Sequence, residues 1–166
     1  MLASVWYSWL LKEYSESEYE ILIKKILLPI DGSNASIKAA KYAIKIAKQE
    51  KAQLICIHAI PNPETIYGFS KPAIILESFY EEGKKVGERW FTNVKSLAMR
   101  EGVEIRTDII LDVTSIAEAI LQYAIDANVD VIVMGTSGKT GLKRFLVGSV
   151  ANGVVLYAHC PVFVIR

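Results

Sequence analysis

Short stretches that are apolar at nearly every position alternate along this chain with longer ones whose apolar residues recur every three to four positions. The first kind occupies residues 26–30, 54–60, 129–134 and 162–165, and a partly alternating run over 103–111 joins them. A strand with apolar side chains on both faces is one covered by helices on both sides. The second kind begins after Asp31-Gly32-Ser33-Asn34. There Ala39, Ala40, Ala43, Ile44 and Ala47 share one helical face, and Lys38, Lys41, Lys45 and Lys48 recur on the other, which reads as a solvated face. Over 73–100, Leu76, Tyr80, Val86, Trp90, Val94 and Leu97 repeat at the same period, with Gly83 and Gly87 as weak points costing about 1 kcal/mol each relative to Ala. Ser115 followed by Glu118 is a capping box for a helix to residue 128. Residues 145–158 predict a last helix, cut from the final strand by Pro161, and 61–72, with three prolines, reads as a loop.

The resulting order, β-α-β-α-β-α-β-α-β, predicts one α/β domain: a parallel, doubly wound sheet of five strands with helices on both faces. Residues 25–166 hold the whole pattern, and 1–24 stand ahead of it as an extension. Val5, Trp6, Trp9 and Leu10 fall there at i, i+1, i+4 and i+5, the spacing of a short helix with one apolar side, the other reading being a tail.

Composition narrows the function classes. The 166 residues carry 19 Lys+Arg against 18 Asp+Glu, a net charge of +1, so no electrostatic argument favours nucleic acid or an anionic membrane. Two uncharged stretches, 1–11 and 145–165, mimic membrane signals. The first lacks a basic flank and a cleavage pattern; the second is broken by Gly148, Ser149, Asn152, Gly153, His159 and Pro161. A cytoplasmic protein is expected, and Cys56 and Cys160, far apart and outside any CxxC pair, fit a reducing compartment. His58 and His159 have no Cys, Asp or Glu at metal spacing, so no metal site is expected.

Candidate chemistry gathers after the fourth strand, in Gly135-Thr136-Ser137-Gly138 and the loop that runs through Lys139, Thr140 and Gly141 to Gly148-Ser149. Glycines let a backbone approach a ligand closely, and a helix N-terminus adds N–H donors and partial positive charge, both suited to phosphate. In an open α/β sheet the ligand crevice lies beyond the carboxyl ends of the strands where their order reverses, and Asp31 and Gly135 would both project there. A P-loop needs its first glycine at position 133, which is Val133 inside a strand. The dinucleotide fingerprint G-x-G-x-x-G is absent after the first strand, where Pro29-Ile30-Asp31-Gly32-Ser33 stands instead. What remains is G-x2-G, nine residues, then G-S. Asp31 and Ser33 also suit a simple turn and helix cap, and the Gly135/Gly138 loop a simple strand-to-helix turn.

This spacing, together with Lys25-Ile26-Leu27-Leu28-Pro29-Ile30-Asp31-Gly32-Ser33, Val129-Asp130-Val131-Ile132-Val133-Met134-Gly135, Gly148-Ser149-Val150 and the closing His159-Cys160-Pro161-Val162-Phe163-Val164-Ile165, resembles the ATP-binding branch of the universal stress protein family over residues 25–166. The resemblance implies a five-stranded Rossmann-like domain, a homodimer, and an ATP-binding module acting in stress responses with an unidentified signalling partner. ADP or AMP are the other candidate nucleotides, and Mg²⁺ could accompany them. It further implies that Asp31 hydrogen-bonds the adenine or ribose, that Pro29 and Ala59 line the base, and that Met134 and Gly135 flank the ribose. Gly138, Gly148, Ser149 and Val150 would hold the phosphates. Where many members carry a basic residue or His this chain has Ser137, so charge would come from Lys139, Lys143 or Arg144. No catalytic residue is identified. The other readings are a slow ATPase and an interaction protein of the same fold without nucleotide. The uncovered final strand predicts pairing with a second copy across a two-fold axis.

Overall fold

A computed structural model describes residues 22–68, 72–136 and 148–166. Five parallel strands form one sheet: β1 (Lys25–Pro29), β2 (Gln53–Pro61), β3 (Ile105–Val113), β4 (Val131–Gly135) and β5 (Val162–Ile165), in the order β3-β2-β1-β4-β5. Helices α1 (Asn34–Glu50), α2 (Pro63–Tyr67), α3 (Ala73–Arg100), α4 (Ile116–Asp126) and α5 (Ser149–Tyr157) connect them. The expected α/β, doubly wound fold is the observed one. No helix among the described residues is long and apolar enough to cross a membrane.

The inner strands β1 and β4 and most of β2 are apolar because successive side chains feed opposite layers, whereas the edge strand β3 carries Arg106, Thr107, Asp108 and Asp112. Ile26 and Leu28 of β1, with Leu54, Cys56, Val131 and Val133, meet α1 and α3 through Ala39, Ala43, Phe91, Val94 and Ala98. Leu27, between them, joins Ile55, Ile57, Ile132 and Met134 against α4 and α5 through Ile120, Ala124, Ala151 and Val154. Fully burying each large aliphatic side chain contributes roughly 1.5–3 kcal/mol. Cys56 lies wholly inside the first layer, and burial pushes its thiol above the ordinary range, so it is a small core hydrophobe.

Asp130, just before β4, ties the two central strands at their starts. Its carboxylate accepts the N–H groups of Lys24 and Lys25, both at 2.8 Å, while Lys25 Nζ donates to the Ala127 carbonyl at 2.7 Å. β1 then pairs with β4 in the register Ile26↔Val131, Leu27↔Ile132 and with β2 along its whole length.

Several boundaries differ from expectation. The stretch read as a loop contains α2, which Asn62 caps by accepting the Glu64 N–H at 2.7 Å, with Pro63 at the first helical position where its missing N–H costs nothing. The last helix starts at Ser149, because Gly148 is extended (φ −61°, ψ 156°) and acts as its N-cap. α4 stops at Asp126 and Asn128 turns left-handed (φ 50°) ahead of β4. β3 runs two residues later than expected, to Val113, where a bulge shifts the register between Ala59 and Pro61 and Asp112 adopts φ 58°. Ser115 caps α4 as expected, accepting the Glu118 N–H at 3.3 Å.

Gly135 shows how tightly α1 is laid on the sheet. A Cβ there would stand 2.8 Å from the backbone carbon of Ala35 and the nitrogen of Ser36, neither of which can rotate away. Gly135→Ala therefore displaces the start of α1 at an overpacking cost of about 1–3 kcal/mol. A thermal melt should fall by several degrees, at roughly 2–4 °C per kcal/mol for a chain of this size; an unchanged melt contradicts this packing.

Candidate functional site

The sheet order reverses between β1 and β4, and their carboxyl ends part into a cavity of about 340 Å³, within the range of small-molecule sites. Pro29 and Asp31 reach it from β1 and the turn after it, Ala59 from β2, and Met134 and Gly135 from β4. Gly148, Ser149 and Val150 reach it from the start of α5. Eight of the nine residues singled out in the sequence thus line one cavity. Gly138 lies outside the described residues, as do Ser137, Lys139, Lys143 and Arg144.

The turn after β1 is built by side chains on backbone. Asp31 Oδ1 accepts the Ser33 N–H at 3.0 Å, Ser33 Oγ accepts the Ser36 N–H at 3.1 Å, and Ser36 Oγ returns to the Ser33 carbonyl at 2.9 Å. The turn-and-cap reading of Asp31 and Ser33 is therefore correct as far as it goes. It leaves Asp31 Oδ2 as an acceptor, because only Oδ1 enters the turn. Among the described lining residues Asp31 is the one acidic group.

At the other end of the cavity Thr136 donates its N–H to the Ile165 carbonyl at 2.8 Å, and its own carbonyl accepts the Gly148 N–H at 2.7 Å. That pair brings the first turn of α5 beside β4. It also amends one expectation: the Gly148 N–H is already used, so Gly148 serves as cap rather than as donor. The first intrahelical bond runs from Asn152 N–H to the Gly148 carbonyl, which leaves the amides of Ser149, Val150 and Ala151, residues that line the cavity, unsatisfied within the helix.

Two aromatic walls escaped the sequence reading. His58, expected to be structural, bonds through Nδ1 to the Ile30 carbonyl at 3.0 Å, and because a carbonyl only accepts, Nδ1 carries the proton. Trp90 meets the His58 ring edge-on (centroids 4.9 Å apart, 81° between planes), and both line the cavity. Trp90 sits where a side chain on Gly32 (φ +76°) would be, with the hypothetical Cβ 2.2 Å from its ring. The two glycines that weaken α3 explain how it comes so near. A Cβ on Gly83 would meet the Cδ1 methyl of Ile60 at 2.8 Å, which can turn aside, and one on Gly87 would meet His58 at 2.9 Å, a ring held by its bond to Ile30, so the missing side chain at Gly87 above all lets α3 lie against the end of β2. Ile116 and Ile120 of α4 add an apolar floor. The glycine pair four residues apart was the available signal, since small residues on one helix face permit close approach.

The cavity therefore joins an apolar slot, a carboxylate at one side and helix N-terminal donors at another. Among the described residues no group of three or more His, Cys, Asp or Glu could hold a metal ion.

Comparison with known proteins agrees with this architecture. The model of the universal stress protein family matches residues 22–166. Universal stress protein MJ0531 of Methanocaldococcus jannaschii is 41% identical over 150 residues, covering 89% of this chain and 84% of that protein. The solved universal stress protein UspA from Lactobacillus plantarum matches with a TM-score of 0.77 at 25% identity, over 87% of this chain and 98% of that one. The Archaeoglobus fulgidus universal stress protein solved in complex with dAMP shares the fold at a TM-score of 0.59 and 22% identity, over 88% and 99% of the two chains. With a family match over nearly its whole length and a relative this similar, the chain belongs to the universal stress protein family.

Proposed function

We propose that this protein binds an adenine nucleotide, ATP foremost, in the cavity between β1 and β4, and that it acts as a nucleotide-dependent regulatory module in the cytoplasm. The observation that carries the reading is the pairing of an apolar slot and carboxylate with helix N-terminal amides inside one cavity. A flat aromatic base suits the apolar strand ends at Pro29 and Ala59. Asp31 Oδ2 can accept from a ribose hydroxyl or an exocyclic amine, and Met134 and Gly135 stand where the ribose would pass. Phosphate oxygens suit the amides of Ser149 and Val150 and the Ser149 hydroxyl, because the start of α5 supplies unpaired donors and the positive end of the helix dipole. Solved relatives in the same fold that hold dAMP, cAMP and AMP support an adenine nucleotide as the ligand class. Gly138 and a charge from Lys139, Lys143 or Arg144 would complete the phosphate end, with Mg²⁺ carried in by the nucleotide.

The chemistry this chain supplies is binding and orientation. Asp31 stands with the base-binding strand ends, so the reading assigns no general base at the phosphates. Phosphate release followed over hours with millimolar ATP separates this module from a slow ATPase.

ATP in hundredfold excess over its Kd should stabilise the fold by about 2.7 kcal/mol, a rise of several degrees in the melt. Asp31→Asn keeps the oxygen that accepts the Ser33 N–H but removes the charge, and should weaken ATP binding by about tenfold or more, since hydrogen bonds to charged groups contribute about 1.5–3 kcal/mol. Identical melting curves for the wild type with and without millimolar ATP would remove the nucleotide reading.

The same reading includes a homodimer through β5. Among the described residues this strand ends the sheet, so one row of its N–H and C=O groups has no strand partner there, and Phe163 is 46% exposed. A second copy across a two-fold axis covers both. Phe163→Lys should give a monomer by light scattering; a dimer that survives the substitution places the interface elsewhere.

A further inference from the structure

Helix α1 carries Lys38, Lys41, Lys45 and Lys48, and Lys51 at its C-cap, against one acidic residue, Glu50. Like charges three and four positions apart on a helix repel, so this face is destabilising unless something offsets it. It borders a groove of about 630 Å³ between α1 and α3, walled by Lys41, Lys45, Lys48 and Arg100 over the buried Ile44 and half-buried Leu97. Glu101 answers Lys48 at 2.8 Å, but Lys41, Lys45 and Arg100 form no ion pair among the described residues. The groove lies toward the C-terminal end of α1, away from the cavity at its start.

The chain enters the domain beside this groove. The Gln53 N–H donates to the Lys24 carbonyl at 2.8 Å and the Ala52 N–H to the Ala47 carbonyl at 2.9 Å, so the backbone just before β1 lies against the turn that ends α1. Ile23 packs on the same core layer as Leu97 and Ile46. Immediately upstream, Glu13-Tyr14-Ser15-Glu16-Ser17-Glu18-Tyr19-Glu20 places four carboxylates in eight residues with no cation. Glu13, Glu16 and Glu20 fall at i, i+3 and i+7, and Lys41, Lys45 and Lys48 at i, i+4 and i+7. Reach is ample: nine residues extend to roughly 30 Å, whereas Lys41 to Lys48 covers about 10 Å of helix.

From this charge complementarity and point of entry, we propose that residues 13–20 dock in the α1–α3 groove of their own chain, their glutamates against Lys41, Lys45, Lys48 and Arg100. The extension is then a salt-sensitive cover over the basic face. Because the charges are exposed, the docking weakens as the Debye length shrinks from about 10 Å at 0.1 M salt to about 3 Å at 1 M.

Carbodiimide cross-linking of the full-length protein, mapped by peptide mass spectrometry on a mixture of ¹⁴N and ¹⁵N chains, tests this. Amide links should join Glu13, Glu16, Glu18 or Glu20 to Lys41, Lys45 or Lys48 within one isotope class. Their yield should be at least tenfold above links to Lys85 or Lys95, falling by a similar factor in 1 M NaCl. Lys41→Glu with Lys45→Glu should abolish the links to Lys48, and adding Glu13→Lys with Glu16→Lys should restore links between the swapped positions. Links spread evenly over exposed lysines, links only between isotope classes, or yields indifferent to salt would each overturn the proposal; the salt comparison needs no variant to fold.

Discussion

The pairing of β1 with β4 is the constraint on which the rest of the molecule depends. The chain makes β1, moves outward through β2 and β3, then crosses back to lay β4 on the other side of β1. Asp130 secures that return, since its carboxylate accepts the two backbone N–H groups that open β1. Once the starts of the strands are held together, the connections at their far ends leave on opposite faces, α1 toward one layer and α5 toward the other. The crevice between them is a product of topology before any side chain is considered. Its lining follows from which residues stand at strand ends and helix starts, so Asp31, Ala59, Gly135 and Ser149 meet although they are distant in sequence.

Close approach governs the second level. Gly135 lets the first turn of α1 cross β4, and Gly83 and Gly87 let α3 settle on β2. In α3 these glycines work against local helix propensity by about 1 kcal/mol each. What they permit is tertiary: His58 is gripped between the Ile30 carbonyl and Trp90, and Trp90 fills the space above Gly32. The turn that carries Asp31 is thereby held from the α3 side as well as by its own hydrogen bonds.

The fold was legible because a buried parallel strand and an amphipathic helix write different periods into a sequence, and Ser33 and Ser115 announce their helices by capping them. Boundaries were less so. Asn62-Pro63 carried a start signal for α2 that a proline-rich stretch disguised, and the left-handed Asp112 and Asn128 give no mark in hydropathy. Of the candidate site, local motifs and topology made Asp31, Gly135 and Gly148-Ser149 readable, while Pro29, Ala59, Met134 and Val150 were implied by the family resemblance. His58 and Trp90 were neither, because their place in the cavity comes from a helix-to-strand distance set by absent side chains. Nor could the sequence show that Thr136 consumes the Gly148 N–H, a bond between residues far apart along the chain.

If one cavity holds a base at the ends of β1 and β2 and phosphates at the start of α5, adenosine should touch one part of it and ATP both. Amide chemical-shift mapping with each ligand in turn resolves this. Both ligands should move the resonances of Asp31 and Ala59, and ATP alone should add large shifts at Ser149 and Val150. Shifts from ATP that avoid both groups, or adenosine shifts centred on α5, would contradict that arrangement.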